Sequence, residues 1–321
     1  MKIKLLEHPT GDSPITAMIL VLSGVLLLAL QDTLVKYMAP ETSFWQFQTL
    51  RSLGNGFLLL CLCALTSGFA LLTPINPRIV FTRAAVMTLC MFFFFAGAPF
   101  LSVAQMAAGL YTYPLFVTLL AAPILGERVG KWRIIALLLG VCGAMTILRP
   151  WTSGFALVQL LPICAGFLYA INILILRRYC RGESTVALTF AVAIMFIVSG
   201  GTGSLLLTLF APDPGLQAAM PFVAIGWPVL TFTVVIFAAF SSVMNLSGNI
   251  FLNRAYQTAE SSRLAPLDFS YLLFAVLWGK VLFGTWPTLF TVAGMCLIAS
   301  AGILTAWREH VNARSLYPER H

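Results

Sequence analysis

The sequence predicts an all-α integral membrane protein with ten transmembrane helices, arranged as two inverted five-helix repeats. Composition, the length of the apolar runs and a match between the two halves lead to this fold class. Of the 321 residues, 60% are hydrophobic and 9% are charged, whereas an ordinary soluble domain is about 25% charged. The apolar residues fall in runs of about twenty, the length at which an α-helix crosses the hydrocarbon of a bilayer.

The apolar runs and the loops between them predict the individual spans. The predicted helices are 15–38, 44–66, 79–99, 102–124, 133–149, 157–178, 186–210, 229–256, 260–283 and 287–307, with tails at 1–14 and 308–321. The first run begins where a signal peptide would, but no small-residue cleavage pattern follows it, and the polar pair Gln31 and Asp32 lies in its far end. We therefore interpret it as a retained helix.

The distribution of basic residues predicts the orientation. Fifteen of the 19 Lys and Arg residues fall in loops and tails on one side, three fall on the other side (Lys36, Arg149 and Lys280), and Arg51 lies inside the second span. By the positive-inside rule both termini are cytoplasmic, and an odd number of spans would destroy the asymmetry. The same dispersion of basic residues argues against a nucleic-acid partner, despite a net charge of +8. We expect a multi-pass protein of the inner (plasma) membrane.

Cysteine and histidine positions argue against a metal or disulfide framework. The seven cysteines lie in or at the ends of the apolar runs, and the three histidines (His8, His310 and His321) are all terminal. The sequence also has no Gly-x-x-x-x-Gly-Lys-Ser/Thr loop for a nucleotide. We expect no cofactor, no metal site and no enzymatic activity.

An internal match divides the spans into two groups. A shift of 158 residues brings Tyr113-Pro114-Leu115-Phe116 onto Tyr271-Leu272-Leu273-Phe274. The match predicts two units, residues 15–149 and 157–307, each of five helices. Because five is odd, the second unit would enter the membrane in the opposite orientation, which is typical of carriers that work by alternating access. Shared Leu, Ala and Gly content is the alternative explanation.

Two segments resemble the EamA-type drug/metabolite transporter superfamily. They are residues 107–116 (AAGLYTYPLF), followed by Leu125-Gly126-Glu127-Arg128, and residues 259–269 (AESSRLAPLDF), followed by Phe283-Gly284-Thr285. The resemblance implies a ten-helix carrier with two EamA repeats, and it is closest to the branch with riboflavin and S-adenosylmethionine carriers, where Asp32 and Lys36 have counterparts. Thr285 departs from the Gly-Glu that commonly ends both repeats.

Charged side chains inside spans are costly and so mark candidate sites. Asp32 and Lys36 are one turn apart on the first helix. Asp32 is a candidate for proton coupling, whereas an interfacial ion pair with Lys36 is the structural alternative. Gln48, Arg51 and Asn55 share a face of the second helix. Because Arg51 keeps its charge, we expect it to meet Asp32, Asp268 or an anionic group of the substrate, and a permanent salt bridge is the alternative.

A polar stripe marks the eighth helix. Ser241, Asn245, Asn249 and Asn253 recur every four residues, a spacing that follows one helix face. We predict that Asn245 and Asn249 line a substrate cavity, although hydrogen bonding between helices would explain the same stripe.

Further candidates come from the ninth helix and from the aromatic residues. Asp268 follows the helix-breaking Pro266 and is the second candidate for proton coupling. Tyr113 and Tyr271 are predicted to contact substrate, and Asn172, which matches Gln31 at a slightly different offset of the repeat, completes the set. Trp45, Tyr111, Tyr169 and Trp278 are further aromatic groups suited to stacking, or to anchoring at the membrane surface.

Taken together, these patterns predict a secondary transporter that moves a small polar organic metabolite by alternating access. The expected partner is a small molecule, vitamin-like, nucleoside-like or amino-acid-like, within the lipid bilayer. Proton coupling, a homodimer and the direction of transport are left open. An intramembrane enzyme that uses Asp32 and Asp268, and a passive channel, are the alternative functions.

Overall fold

A computed structural model describes residues 14–65, 68–125, 131–152, 154–180, 182–258 and 261–316, and within these ranges every regular element is a helix. The helices are α1 Pro14–Met38, α2 Phe44–Leu65, α3 Pro77–Ala96, α4 Val103–Leu110, α5 Tyr113–Leu125, α6 Lys131–Leu148, α7 Leu161–Tyr179, α8 Thr185–Leu209, α9 Pro214–Ala219, α10 Pro221–Ala224, α11 Phe232–Thr258, α12 Ser261–Asp268, α13 Ser270–Phe283 and α14 Leu289–Leu316. Short 3₁₀ turns occupy Phe69–Leu72 and Leu157–Leu160.

Eight segments of the described chain are long and apolar enough to cross a membrane. Two shorter apolar helices, Ile134–Leu148 and Leu289–Thr305, accompany them. The prediction of an all-α, multi-pass membrane protein is therefore confirmed. The tip of the predicted Gly126-Glu127-Arg128 motif and the start of the second EamA-like segment, residues 259–260, lie outside the described residues.

The fourth and ninth predicted helices are each interrupted, although the sequence predicts them as continuous. The first break follows α4, at Tyr111 and Thr112, and the second is at Phe269, between α12 and α13. Pro114 explains the first break, because it has no N–H to donate to the carbonyl of Leu110, the residue at which α4 ends. At the second break the backbone tightens to a three-residue turn, in which Phe269 N–H donates to the carbonyl of Pro266 (3.4 Å).

The long helices pack in a small set of pairs. Helix α1 packs on α11 and α13, α2 on α8 and α11, α3 on α7 and α8, α6 on α14, and α7 also on α4 and α5. Two pairs meet at facing glycines. A Cβ added to Gly24 of α1 would lie 2.9 Å from the carbonyl oxygen of Gly248 in α11, and one added to Gly143 of α6 would lie 2.8 Å from that of Gly294 in α14. Small residues allow these backbones to approach closely.

One end of the bundle, where α1 ends and α2 begins, is closed by packing and by a strap of chain. Phe44, Phe47, Phe94 and Phe95 are fully buried there in one apolar cluster. The connection around α9 and α10 lies over the start of α2, held by three side chains that donate to its carbonyls: Ser43 to Gly226, Trp45 to Val223 (2.8 Å) and Gln46 to Pro228 (2.8 Å). We call this end the closed end, and the opposite end, where α7 ends and α8 begins, the open end.

Candidate functional site

A cavity of about 390 Å³ lies between the helices, within the range usual for small-molecule sites. Its walls reach from Asp32 of α1 to Thr185, an exposed residue at the first turn of α8. It therefore extends from the interior of the bundle towards the open end. We call it the central cavity. Its polar and aromatic lining comprises Gln31, Asp32, Arg51, Ser52, Asn55, Arg83, Tyr111, Tyr113, Tyr169, Thr185, Thr189, Phe196, Asn245, Asn249, Asn253, Asp268 and Tyr271.

A chain of hydrogen bonds joins α1, α2 and α13 on one wall of the central cavity. Arg51 donates from Nη1 to the Oε1 of Gln31, and the Gln31 amide donates in turn to the Oδ1 of Asp32. The hydroxyl of Tyr271 donates to the other carboxylate oxygen of Asp32 (2.6 Å). Arg51 is thus linked to the anion Asp32 through the amide of Gln31, an intermediate group that the sequence did not predict.

The guanidinium of Arg51 is almost completely buried, with 4% of the residue exposed. It lies over the ring of Phe196 at 5.7 Å, and its Nε–H has no acceptor among the described residues. An unpaired donor on a buried charged group is costly. Arg51 therefore keeps one charged hydrogen-bond donor without a partner, at an atom that the surrounding side chains cover in this conformation.

The predicted amide stripe faces Arg51 from α11. Asn55 donates from Nδ2 to the Oδ1 of Asn245 (3.3 Å), and Asn249 donates to the backbone carbonyl of Asn245 (2.7 Å). Asn245, Asn249 and Asn253 all line the central cavity, whereas Ser241 is buried outside its lining. Amide groups both donate and accept, so this wall can bind carbonyl and N–H groups alike.

Four tyrosines form the third wall: Tyr111, Tyr113 and Tyr271 lie at or next to the two helix breaks, and Tyr169 lies within α7. The rings of Tyr111 and Tyr271 are stacked, with centroids 5.1 Å apart and an interplanar angle of 18°. Tyr113 packs edge-on against Tyr169 at 4.9 Å, and the Tyr111 hydroxyl donates to the backbone carbonyl of Asp268 (3.0 Å). Because α4 stops at Leu110 and α13 starts at Ser270, the breaks bring tyrosines from both halves of the chain together.

Most of the predicted site residues meet in this cavity, and two do not. Arg51, Asn55, Asn245, Asn249, Tyr113, Tyr271, Asp32 and Asp268 line it. Gln48 and Asn172 are buried elsewhere, at 0% and 3% exposure. Both amide atoms of Gln48 and the Oδ1 of Asn172 have no hydrogen-bond partner among the described residues.

Sequence reasoning missed Arg83 and Phe196, which also line the cavity. Arg83 lies two turns inside α3, near a helix end for which the distribution of basic residues predicts only a loop cation on the cytoplasmic side. Phe196 is one of many phenylalanines in apolar helices, so no local signal distinguishes it. With Arg83 included, the lining carries two arginines and two aspartates, so its formal charges balance. Among the described residues no group of three or more His, Cys, Asp or Glu side chains could hold a metal ion.

Comparison with known proteins supports the resemblance noted in the sequence. Residues 15–149 match the EamA-like transporter family. The chain is 29% identical to a riboflavin transporter of Rhizobium johnstonii over 293 residues, 89% of each protein. It is 27% identical to a pseudopaline exporter of Pseudomonas aeruginosa over 297 residues, 88% of this chain and 95% of the exporter.

A solved structure with 18% sequence identity superposes with a TM-score of 0.58, over 91% of this chain and 97% of that chain, which shows a shared fold. The relatives and the apolar helices together indicate membrane transport of a small metabolite. Residues 15–149 therefore match the EamA-like transporter family, and the resemblance of the chain to the EamA-type drug/metabolite transporter superfamily is confirmed.

Proposed function

We propose that this protein is a secondary carrier that moves a ring-bearing polar metabolite across the inner membrane by alternating access, with the central cavity as its binding site. The observation that carries the proposal is the joint wall of stacked tyrosines, amides and buried Arg51 inside an otherwise apolar bundle. A buried charged donor without a partner is costly in a protein that only has to fold. A cargo that pairs with it would offset that cost.

The proposed topology has ten spans and two cytoplasmic ends. Eight long segments and two shorter apolar helices supply the spans, and the fifteen-to-three division of Lys and Arg supports the orientation. In this topology the open end, with Thr185, faces the cytoplasm, and the closed end faces the outside.

An inverted repeat of residues 15–149 and 157–307 is supported by the positions of the two helix breaks. Tyr111, at the first break, is 158 residues before Phe269, at the second, and this is the offset of the sequence match. The helix pairs obey the same symmetry. The α1–α11 pair corresponds to α7–α3, the α1–α13 pair corresponds to α7–α5, and the α2–α8 and α6–α14 pairs each correspond to themselves. Such symmetry lets one half rock against the other around a fixed site.

The lining favours a planar ring with polar edges as cargo. Aromatic faces such as those of Tyr111 and Tyr271 stack on flat rings, and Asn245, Asn249 and Arg51 offer hydrogen bonds at the ring edge. The riboflavin transporter among the relatives makes riboflavin our first candidate. An anionic cargo is the second candidate, because Arg51 keeps an unpaired Nε–H and Arg83 lies in the same cavity. The pseudopaline exporter among the relatives is the reason to test pseudopaline beside riboflavin.

Protons are the proposed coupling ion, with Asp32 as the primary carrier and Asp268 as the second. Asp32 belongs to the first half of the chain and receives its hydrogen bond from Tyr271 of the second half. Protonation of Asp32 would remove the acceptor charge that joins the halves. This coupling predicts that collapse of the pH gradient by an ionophore lowers riboflavin accumulation, and accumulation that is unchanged would contradict it.

A passive channel is disfavoured because the aromatic cluster and the strap occlude the closed end while the central cavity reaches the open end. An enzyme that uses Asp32 and Asp268 is disfavoured because Tyr271 and Gln31 already occupy the carboxylate of Asp32. Transport by purified protein in liposomes separates these functions. We expect saturable riboflavin uptake that is accelerated by unlabelled riboflavin inside the liposome. Flux that rises linearly with concentration would support the channel, and chemical change of the cargo in detergent would support the enzyme.

A further inference from the structure

A second cavity, of about 380 Å³, lies at the closed end. We call it the end cavity. It is lined by Lys36, Tyr37, Glu41 and Phe283, and by four prolines of the connecting segments, Pro40, Pro99, Pro221 and Pro228. Proline fixes the backbone angle φ, so the rim is stiff although it is built from loops.

A single helical turn separates the two cavities along α1. Asp32 lines the central cavity and Lys36 lines the end cavity, and four residues of an α-helix span about 6 Å. The fully buried Val35 lies between them, in the same apolar cluster as Phe47 and Phe95. The end cavity is therefore in line with the central cavity, behind a thin apolar barrier.

The ammonium group of Lys36 is held at the inner side of the end cavity. Its Nζ donates to the carbonyl of Ala98 and lies 5.3 Å from the ring centre of Phe283. An ammonium group has three donors, and the carbonyl of Ala98 uses one of them. Tyr37 stands beside it, with its ring 5.8 Å from that of Phe237 and 6.2 Å from that of Phe283. The sequence allows Lys36 to extend to the membrane surface as an anchor, but the structure turns it inward.

We propose that the end cavity is a second binding site on the cargo's route, where Lys36 holds an anionic or carbonyl oxygen of the cargo and Tyr37 and Phe283 contact its ring. The proposal rests on the alternating-access function proposed above. Its chemistry resembles that of the central cavity, with the half-buried cation Lys36 beside aromatic rings and with one carboxylate, that of the exposed Glu41, in the lining. A molecule leaving one cavity would thus meet the same kind of contacts one helical turn further on.

The test uses thiol labelling at Tyr37→Cys, which requires neither transport nor knowledge of the cargo. Intact cells are treated with two membrane-impermeant thiol reagents of equal size, one a sulfonate anion and one a trimethylammonium cation, and cells with the wild-type protein supply the background. If Lys36 attracts anions into the end cavity, we expect the anionic reagent to react at least about fivefold faster than the cationic one.

Two further variants identify the source of the preference. In Tyr37→Cys with Lys36→Met the preference disappears. In Tyr37→Cys with Lys280→Met the preference for the anionic reagent remains, because Lys280 lines neither cavity. Lys280 is a matched control, since its ammonium group also contacts a carbonyl, that of Gly284 (3.2 Å), and an aromatic ring, that of Trp286 (5.3 Å). A preference that survives Lys36→Met overturns the proposal.

Protection experiments establish the occupant. Riboflavin and pseudopaline, tested separately, should slow the labelling of Tyr37→Cys, and Arg51→Ala should not abolish that protection. Protection that requires phosphatidylglycerol in the liposome instead would assign the site to a lipid headgroup and overturn the cargo assignment. Labelling of Tyr37→Cys from inverted vesicles but not from intact cells would refute the proposed topology. In that case the effect of Lys36→Met on the charge preference, measured in the inverted vesicles, would still show whether the end cavity binds anions.

Discussion

The central cavity and the apolar cluster at the closed end both draw side chains from α1 and α2, yet they have opposite chemistry. Helix α1 supplies Asp32 to the cavity and the buried Val35 to the closed end, and α2 supplies Arg51 to the cavity and Phe47 to the closed end. In the cavity, polar groups leave donors uncommitted. In the apolar cluster at the closed end, side chains such as Phe47 and Phe95 are fully buried, and the hydrogen bonds of the neighbouring Ser43, Trp45 and Gln46 go to strap carbonyls. The difference suggests that binding depends on single polar atoms, whereas closure depends on packing.

Arg51→Ala tests the cavity side of this comparison and has the largest expected effect. Removing the guanidinium deletes the charged donor and leaves Gln31 and Asp32 without it, so we expect uptake by proteoliposomes to fall by about a hundredfold. Arg149→Ala is the matched control. Arg149 also lies over an aromatic ring, that of Phe290 at 4.2 Å, but outside the central cavity. Equal losses in the two variants would show that the cavity position of Arg51 is irrelevant.

Phe95→Ala tests the closed end. Truncating a fully buried phenylalanine costs about 3–5 kcal/mol in well-packed cores, so a lower melting temperature is expected from a thermal unfolding assay in detergent. The comparison predicts in addition a leak of cargo from preloaded liposomes, with riboflavin binding retained. Leu138→Ala, which truncates an exposed side chain on α6, should do neither. Binding lost together with closure would mean that the two regions are not separable.

Tyr271→Phe removes one hydroxyl while keeping the stacked ring. Because this hydroxyl donates to the carboxylate of Asp32, and bonds to charged groups contribute about 1.5–3 kcal/mol, we expect uptake to fall by about tenfold. Tyr111→Phe, which removes a hydroxyl that donates to a neutral backbone carbonyl, that of Asp268, should have a smaller effect. If Tyr111→Phe lowers uptake more than Tyr271→Phe does, the hydrogen bond between Asp32 and Tyr271 is not the contact on which transport depends.

Asn245→Ala has the smallest expected effect of the cavity variants, about fivefold on the KM for uptake, because it removes neutral hydrogen bonds. Asn172→Ala is its control, since Asn172 is a buried asparagine outside the central cavity. The sequence predicts a substrate contact for both residues. An equal rise in KM for the two variants would mean that Asn172 also contacts the substrate, as the sequence predicts, although the structure places it outside the central cavity.

Local patterns made much of the site predictable. Arg51 and the stripe at Asn245 and Asn249 are polar groups in apolar helices, and polarity inside a membrane is costly enough to be a signal by itself. Gln48 is also a polar residue in an apolar helix but lies outside the cavity. Helical spacing shows which residues share one face of a helix, but it does not show which neighbouring helix packs on that face. The breaks at Tyr111 and Phe269 were missed because a proline predicts weakening of a helix, while the position of the break depends on the packing around it.

Composition and periodicity alone determined that the chain is a helical membrane protein with few, well-separated polar groups, because hydrocarbon requires long apolar helices whatever their arrangement. Only the tertiary structure decided which polar groups meet. Arg51, Asn245 and Tyr271 lie on three helices far apart in the chain, and their convergence follows from helix pairs packed at small residues such as Gly24 and Gly248. Phe196 and Arg83 line the central cavity for the same reason, because helix packing places them beside the other polar groups. Local sequence describes a side chain, but a cavity is a property of the helices that surround it.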